Sequence, residues 1–95
     1  MIRHTVTFKL KYQNGSLEEN EFLEQARKLS SLPTVSKFEC LKEISQNNDY
    51  DFGLSMEFDD MDAYEAYNNH PMHVSFVQDY WIPQVVGYIE LDYQV

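Results

Sequence analysis

The sequence has few of the residues on which several common functions depend. Its single cysteine, Cys40, excludes an internal disulfide. No apolar run approaches the ~18 residues that cross a bilayer, and the first residues do not form a signal peptide, so we predict a cytoplasmic protein. No glycine-rich phosphate loop, CxxC pair or Ser-His-Asp arrangement is visible, and no cofactor is predicted.

Basic residues are also scarce. Seven Lys and Arg stand against 16 Asp and Glu, which gives a formal net charge of −9. A chain of this charge is repelled by nucleic-acid phosphates and by an anionic membrane surface, so both are excluded as partners. A solvated acidic surface is the simpler interpretation, and an acidic patch for a cationic partner is the alternative.

The length and composition predict one small globular domain over residues 1–95. A chain of 95 residues buries only part of the surface that its unfolded form exposes, so contact with a second copy through one face would raise the buried fraction. Aromatic residues make up 15% of the chain, which suits a compact core or a cavity lined with rings.

Hydrophobic periodicity predicts the order β-α-β-β-α-β. Period-two alternation indicates strands over residues 2–11, 35–44, 51–59 and 85–93. The first helix begins at a capping box, Ser16-Leu17-Glu18-Glu19, and ends at Pro33. The second begins at Asp59-Asp60, is interrupted at Asn69-His70-Pro71 and ends at Ile82-Pro83. This order is typical of an α+β ferredoxin-like sandwich, in which both helices cover one face of a four-stranded antiparallel sheet. The other face is left for a partner or for solvent.

Several segments resemble one known family. They are the opening Ile2-Arg3-His4-Thr5-Val6, the corner Leu32-Pro33 with Val35, the segment Tyr50-Asp51-Phe52, and Tyr67-Asn68-Asn69-His70-Pro71-Met72-His73-Val74, which matches the signature Y-x-x-H-P-x-H-V. Over nearly the whole chain the sequence is similar to the stress-responsive α/β-barrel domain family, the dimeric α/β barrels that include plant polyketide cyclases of the olivetolic acid cyclase type. The resemblance implies a homodimer whose two sheets face each other, with a cavity between sheet and helices in each protomer.

The polyketide cyclases of that family imply roles for three residues. The resemblance assigns His73 as the base, Tyr67 as its assistant and His4 to the lining of the pocket. The chemistry is coherent, because a neutral imidazole can remove a proton near neutral pH and a tyrosine hydroxyl can hold an enolate oxygen. Met56, Phe76, Trp81 and His70 are the candidate ligand contacts, with helix capping as the alternative for His70.

Other interpretations stay open at this point. The protein is a cofactor-independent cyclase, lyase or isomerase if it is an enzyme, and otherwise a non-catalytic stress-related or structural dimer. His4 is equally compatible with a satisfied core histidine, and Tyr67 with a ring that anchors its hydroxyl. A metal held by His4, His70 and His73 is a weaker alternative, and so is a monooxygenase-like barrel. No metal site is predicted.

Overall fold

The computed structural model describes residues 1–95 and confirms the predicted ferredoxin-like fold. Strands β1–β4 and helices α1–α3 are, in chain order, β1 Ile2–Leu10, α1 Leu17–Arg27, β2 Ser36–Lys42, β3 Phe52–Phe58, α2 Met61–Asn69, α3 Pro71–Phe76 and β4 Val85–Gln94. A 3₁₀ turn, Lys28–Ser31, follows α1. A π-helical turn, Val77–Trp81, and a short helical stretch, Ile82–Gln84, follow α3.

The sheet has the strand order β2-β3-β1-β4, and all neighbouring strands are antiparallel. The central strand β1 therefore pairs with β3 on one side and with β4 on the other. Its even-numbered residues point towards the helices, and its odd-numbered residues form part of the open face. The register places His4 opposite Met56 of β3 and opposite Asp92 of β4. All three positions lie on the helix-facing side.

The core lies between this side of the sheet and the helices. Phe8, Phe22 and Phe58 are fully buried, and each buried side chain of this size contributes about 1.5–3 kcal/mol relative to an exposed one. Phe8 and Phe22 are in contact, with ring centroids 5.6 Å apart, and join β1 to α1. The apolar residues that alternate along β1 and β3 are therefore the ones that face the helices and form the core.

The helix starts match the prediction, whereas two of the helix ends differ. Ser16 accepts a hydrogen bond from the Glu19 amide, and Asp60 accepts one from the Ala63 amide. The first helix changes to 3₁₀ geometry after Arg27, before Pro33 is reached. The helical path does not stop at Ile82-Pro83, because Pro83 occupies the first turn of a new stretch, where its missing amide hydrogen costs nothing.

The open face of the sheet combines ion pairs with apolar side chains. Arg3 donates to Glu57 at 2.6 Å, and Lys37 lies 3.6 Å from the same carboxylate. Lys37 has a left-handed φ of 48° at a bulge in β2, where β2 pairs irregularly with β3. These contacts lower the pKa of Glu57, chiefly through the hydrogen bond from Arg3. The apolar residues Ile89, Leu91 and Tyr93 of β4 point from this face, and each is about half exposed.

None of the helices is long and apolar enough to cross a membrane.

Candidate functional site

A cavity of about 490 Å³ lies between the sheet and the helical segment that runs from α2 to the start of β4. β1, β3 and β4 form its floor, and α2, α3 and the π-helical turn form its walls. Six of the seven predicted site residues line it: His4, Met56, Tyr67, His73, Phe76 and Trp81. The structure therefore brings His4, Tyr67 and His73 to one cavity.

His70 is the predicted ligand contact that does not line this cavity. It lies at the break between α2 and α3, where its Nδ1 accepts a hydrogen bond from the amide of Met72 at 3.1 Å. This interaction caps the N-terminus of α3, as the alternative interpretation of His70 predicts.

The break at Pro71 brings Tyr67 and His73 together. On one continuous helix, two residues six positions apart lie about 120° apart around the axis and about 9 Å apart along it. Because the chain turns at His70 and restarts at Pro71, the rings of Tyr67 and His73 are in contact instead, with centroids 4.4 Å apart. Tyr67 and His73 can therefore meet across a spacing of six residues only because the helix is broken between them.

His73 is held in one tautomer by the backbone. Its Nδ1 lies 3.0 Å from the carbonyl oxygen of Asn68, which can only accept, so Nδ1 carries the hydrogen. The lone pair of Nε2 is then free for a ligand. Burial lowers the pKa of His73, and the Asn68 contact only partly opposes this effect. The imidazole is thus neutral at neutral pH, as a general base requires.

Tyr67 presents a donor that the protein itself does not use. The side chain is only 3% exposed, yet its hydroxyl has no hydrogen-bond partner in the protein. Burial raises the pKa of Tyr67 far above its ordinary value, and the charge of Glu90 adds to the effect. Because this hydroxyl is protonated, unpaired and at the cavity wall, it can donate a hydrogen bond to an oxygen of a bound molecule.

His4 joins the cavity to a polar cluster, which consists of His4, Tyr64, Glu90 and Asp92. Nδ1 of His4 lies 2.6 Å from Oδ1 of Asp92 and 2.8 Å from the Tyr64 hydroxyl. The same hydroxyl lies 3.0 Å from Oε1 of Glu90 and 2.9 Å from Oδ2 of Asp92. His4 is therefore a satisfied buried histidine on its Nδ1 side, and only Nε2 is left to meet a ligand.

The three histidines proposed as an alternative metal site do not lie together in the structure. The side chains whose potential ligand atoms lie within 4.8 Å of one another are His4, Glu90 and Asp92. His70, at its cap, is not among them. The hydrogen bonds of the polar cluster account for the positions of these three residues without an ion.

Sequence reasoning missed Glu90, Asp92 and Tyr64. The apolar residues Ile89 and Leu91 give β4 its clearest sequence pattern, and they point to the open face. A signal was nonetheless present, since antiparallel pairing of the first and last strands places alternate residues of β4 on the same side as His4. The acidic members of that alternate set had to face the helices.

Comparisons with known proteins agree with the fold. A crystal structure of a Dabb family protein with a ferredoxin-like fold from Mesorhizobium loti is 53% identical, with a TM-score of 0.97, over 99% of this chain and 95% of that one. A dimeric ferredoxin-like protein from Thermobifida fusca is 19% identical, with a TM-score of 0.83, over 99% and 90% of the two chains. A hydroxynitrile lyase from Passiflora edulis is 13% identical, with a TM-score of 0.87, over 99% and 92%. These last two share the fold alone.

No curated protein is similar enough to this chain to count as a relative. The model of the stress responsive A/B barrel domain, Dabb, matches residues 2–95. The chain therefore belongs to the stress-responsive A/B barrel domain family.

Proposed function

We propose that residues 1–95 form one barrel domain that pairs with a second copy and binds a small organic molecule in the cavity, where His73 acts as a base. The observation that carries the proposal is that the rings of His73 and Tyr67 are in contact at the wall of one cavity, with Nε2 of His73 and the Tyr67 hydroxyl both free of protein partners. Pockets of this volume hold drug-sized molecules.

The chemistry follows from the free atoms. Nε2 of His73 takes a proton from a carbon next to a carbonyl group, or from a hydroxyl group. When the proton comes from carbon, the electron pair left behind moves to the carbonyl oxygen and gives an enolate. When it comes from a hydroxyl group, that oxygen forms a carbonyl group while the neighbouring carbon–carbon bond breaks, and the leaving carbanion, cyanide in the case of mandelonitrile, takes the bond's electron pair and then the proton from His73. The Tyr67 hydroxyl donates a hydrogen bond to the oxygen that bears negative charge. Cyclases, lyases and isomerases that need no cofactor can work through such a proton transfer, and the Passiflora edulis protein of the same fold is a hydroxynitrile lyase.

The second copy is supported by the dimeric relative and by the open face of the sheet. The Thermobifida fusca protein is described as dimeric. In this chain Ile89, Leu91 and Tyr93 leave an apolar stripe that its own helices cannot cover, since the helices lie on the opposite side. A homodimer through this face would bury the stripe.

Proton transfer can be tested before the substrate is known. We would follow the exchange of α-protons of ring-sized ketones into deuterium oxide by NMR, and the cleavage of mandelonitrile to benzaldehyde by absorbance. We expect the protein to accelerate at least one reaction and His73→Asn to lower that rate about 10²–10⁴-fold. Asparagine can still donate to the Asn68 carbonyl, so this variant removes the base with little effect on the local fold.

The matched control is His70→Asn, which changes the other histidine of the motif and keeps a capping side chain. It should react at the wild-type rate, and Tyr67→Phe should react about tenfold or more slowly. Ligand binding without any exchange or cleavage would exclude the base and favour the non-catalytic dimer. Equal rates for wild type and His73→Asn would refute the assignment of His73.

A further inference from the structure

The wall of the cavity carries a carboxylate, and no Lys or Arg side chain is present to balance its charge. Glu90 lines the cavity, and no Lys or Arg does. The chain has no basic residue after Lys42, so β3, α2, α3 and β4 contribute none. Arg3 and Lys9 of β1 are odd-numbered and lie on the open face, where they pair with Glu57 and Asp51. The charge of the cavity is therefore set by Glu90 and its neighbours.

Only one of the two carboxylate oxygens of Glu90 has a partner within the protein. Its Oε1 contacts the Tyr64 hydroxyl at 3.0 Å and lies 3.8 Å from Nδ1 of His4. Its Oε2 has no hydrogen-bond partner, and the side chain is 49% exposed. His4 is already engaged by Asp92 at 2.6 Å. Two carboxylates thus share one imidazole, and the polar cluster is net negative whether or not His4 carries a proton.

Aromatic rings stand beside this carboxylate. Tyr88 precedes Glu90 by two residues on the same side of β4, and Trp81 meets Tyr88 edge-on with centroids 5.5 Å apart. Tyr67, Trp81 and Tyr88 all line the cavity with Glu90. Faces of Trp and Tyr attract organic cations, and a nearby carboxylate supplies the opposite charge. An anionic group at the same place would be repelled.

Building on the proposed ligand-binding function, we propose that this cavity binds an organic amine in its protonated form. The ammonium group contacts Glu90, and the apolar body lies against Trp81 and Phe76. The cavity discriminates against carboxylates of the same size, because such a ligand would place two anions together in a cavity that has no Lys or Arg. Glu90 is then the residue that determines the charge class of the ligand.

Trp81 is the only tryptophan, so its fluorescence reports on the cavity directly. We would titrate the protein with phenethylamine, phenethyl alcohol and phenylacetate at pH 7 and equal ionic strength. These three probes share a ring and differ in charge. We expect phenethylamine to have the lowest Kd, about tenfold or more below that of phenylacetate, with the alcohol between them. Glu90→Gln should raise the Kd of the amine to that of the alcohol and leave the alcohol within about twofold.

Glu65→Gln is the matched control, because it removes the same charge from an exposed position of α2 outside the cavity. It should leave the order of the three probes unchanged. Glu90→Lys should reverse the order and favour phenylacetate. If Glu90→Gln fails to fold, the order of the three Kd values measured on the wild-type protein tests the inference on its own.

Two outcomes would overturn the inference, and they have different consequences. If phenylacetate binds as tightly as phenethylamine, Glu90 does not set the charge class, while ligand binding itself stands. If none of the three probes changes Trp81 fluorescence, the amine proposal falls together with the proposed binding of ring-sized molecules.

Discussion

The three histidines of this chain occupy three different environments, and those environments separate their roles. His73 is partly buried with one nitrogen fixed by a carbonyl, and His4 is buried against a carboxylate. His70 holds a helix start. Residue type alone does not distinguish them, because an imidazole can be a base, an ion-pair partner or a cap. The contacts at Nδ1 make the distinction.

The lowered pKa of His73 predicts a pH dependence of stability. The unfolded chain takes up a proton near the ordinary value of 6.5, whereas the folded protein does so only at lower pH. The unfolded state therefore binds more protons in this window, and the free energy of unfolding rises with pH until it levels off above about 6.5. Urea denaturation between about pH 5 and 7.5 measures the slope.

His73→Asn should reduce that slope, since the asparagine at position 73 does not titrate. His70→Asn should retain the part of the slope that His73 contributes. A slope that is the same in wild type and in His73→Asn would mean that burial does not suppress protonation of His73.

Asp92 is predicted to stabilise the protein through His4. Asp92→Asn replaces a charge-assisted hydrogen bond to a buried ring by a neutral one, and we expect the free energy of unfolding to fall by about 1–2 kcal/mol. Asp79→Asn is the same substitution at an exposed position of the π-helical turn, and it should alter the free energy of unfolding by less than about 0.5 kcal/mol. Chemical denaturation at pH 7 compares the two, and equal effects would contradict a specific role for the His4 contact.

At the scale of the elements, the cap of α2 supports both tyrosines of the site. Asp60 accepts from the Ala63 amide at 2.8 Å, and α2 carries Tyr64 and Tyr67 on its buried side. Asp60→Ala should cost about 1 kcal/mol of unfolding free energy. Asp59→Ala removes an equal charge from the neighbouring position, which makes no capping bond, and should cost much less. Similar losses in urea denaturation would show that charge, and not the cap, is responsible.

The elements also show how far sequence reasoning reaches. The alternation of β1 and β3, the caps at Ser16 and Asp60 and the break at Pro71 are local signals, and the fold, with His4, Tyr67 and His73 at one cavity, was predictable from them and from the family resemblance. The polar cluster was not. Its members come from β1, α2 and β4, and their contacts depend on strand register, which a single segment does not encode.

At the scale of the whole molecule, the open sheet face predicts how a dimer can be separated. Leu91→Lys places a charge in the apolar stripe of β4 and should shift the protein from dimer to monomer in size-exclusion chromatography with light scattering. Ile44→Lys introduces the same side chain at a position that is 85% exposed and should leave the dimer intact. A dimeric Leu91→Lys protein would place the interface elsewhere.

The ion pairs of the open face give the molecule an uneven distribution of charge. Arg3, Lys9 and Lys37 are paired with acids there, whereas α2 and the π-helical turn carry acids and no Lys or Arg. If two copies join through their sheets, they bring together the nearly neutral sides and turn the acidic helices outwards. Each finished pair then presents a like-charged shell to every other pair. The long-range repulsion between these shells would stop growth at two copies and keep a crowded solution from condensing.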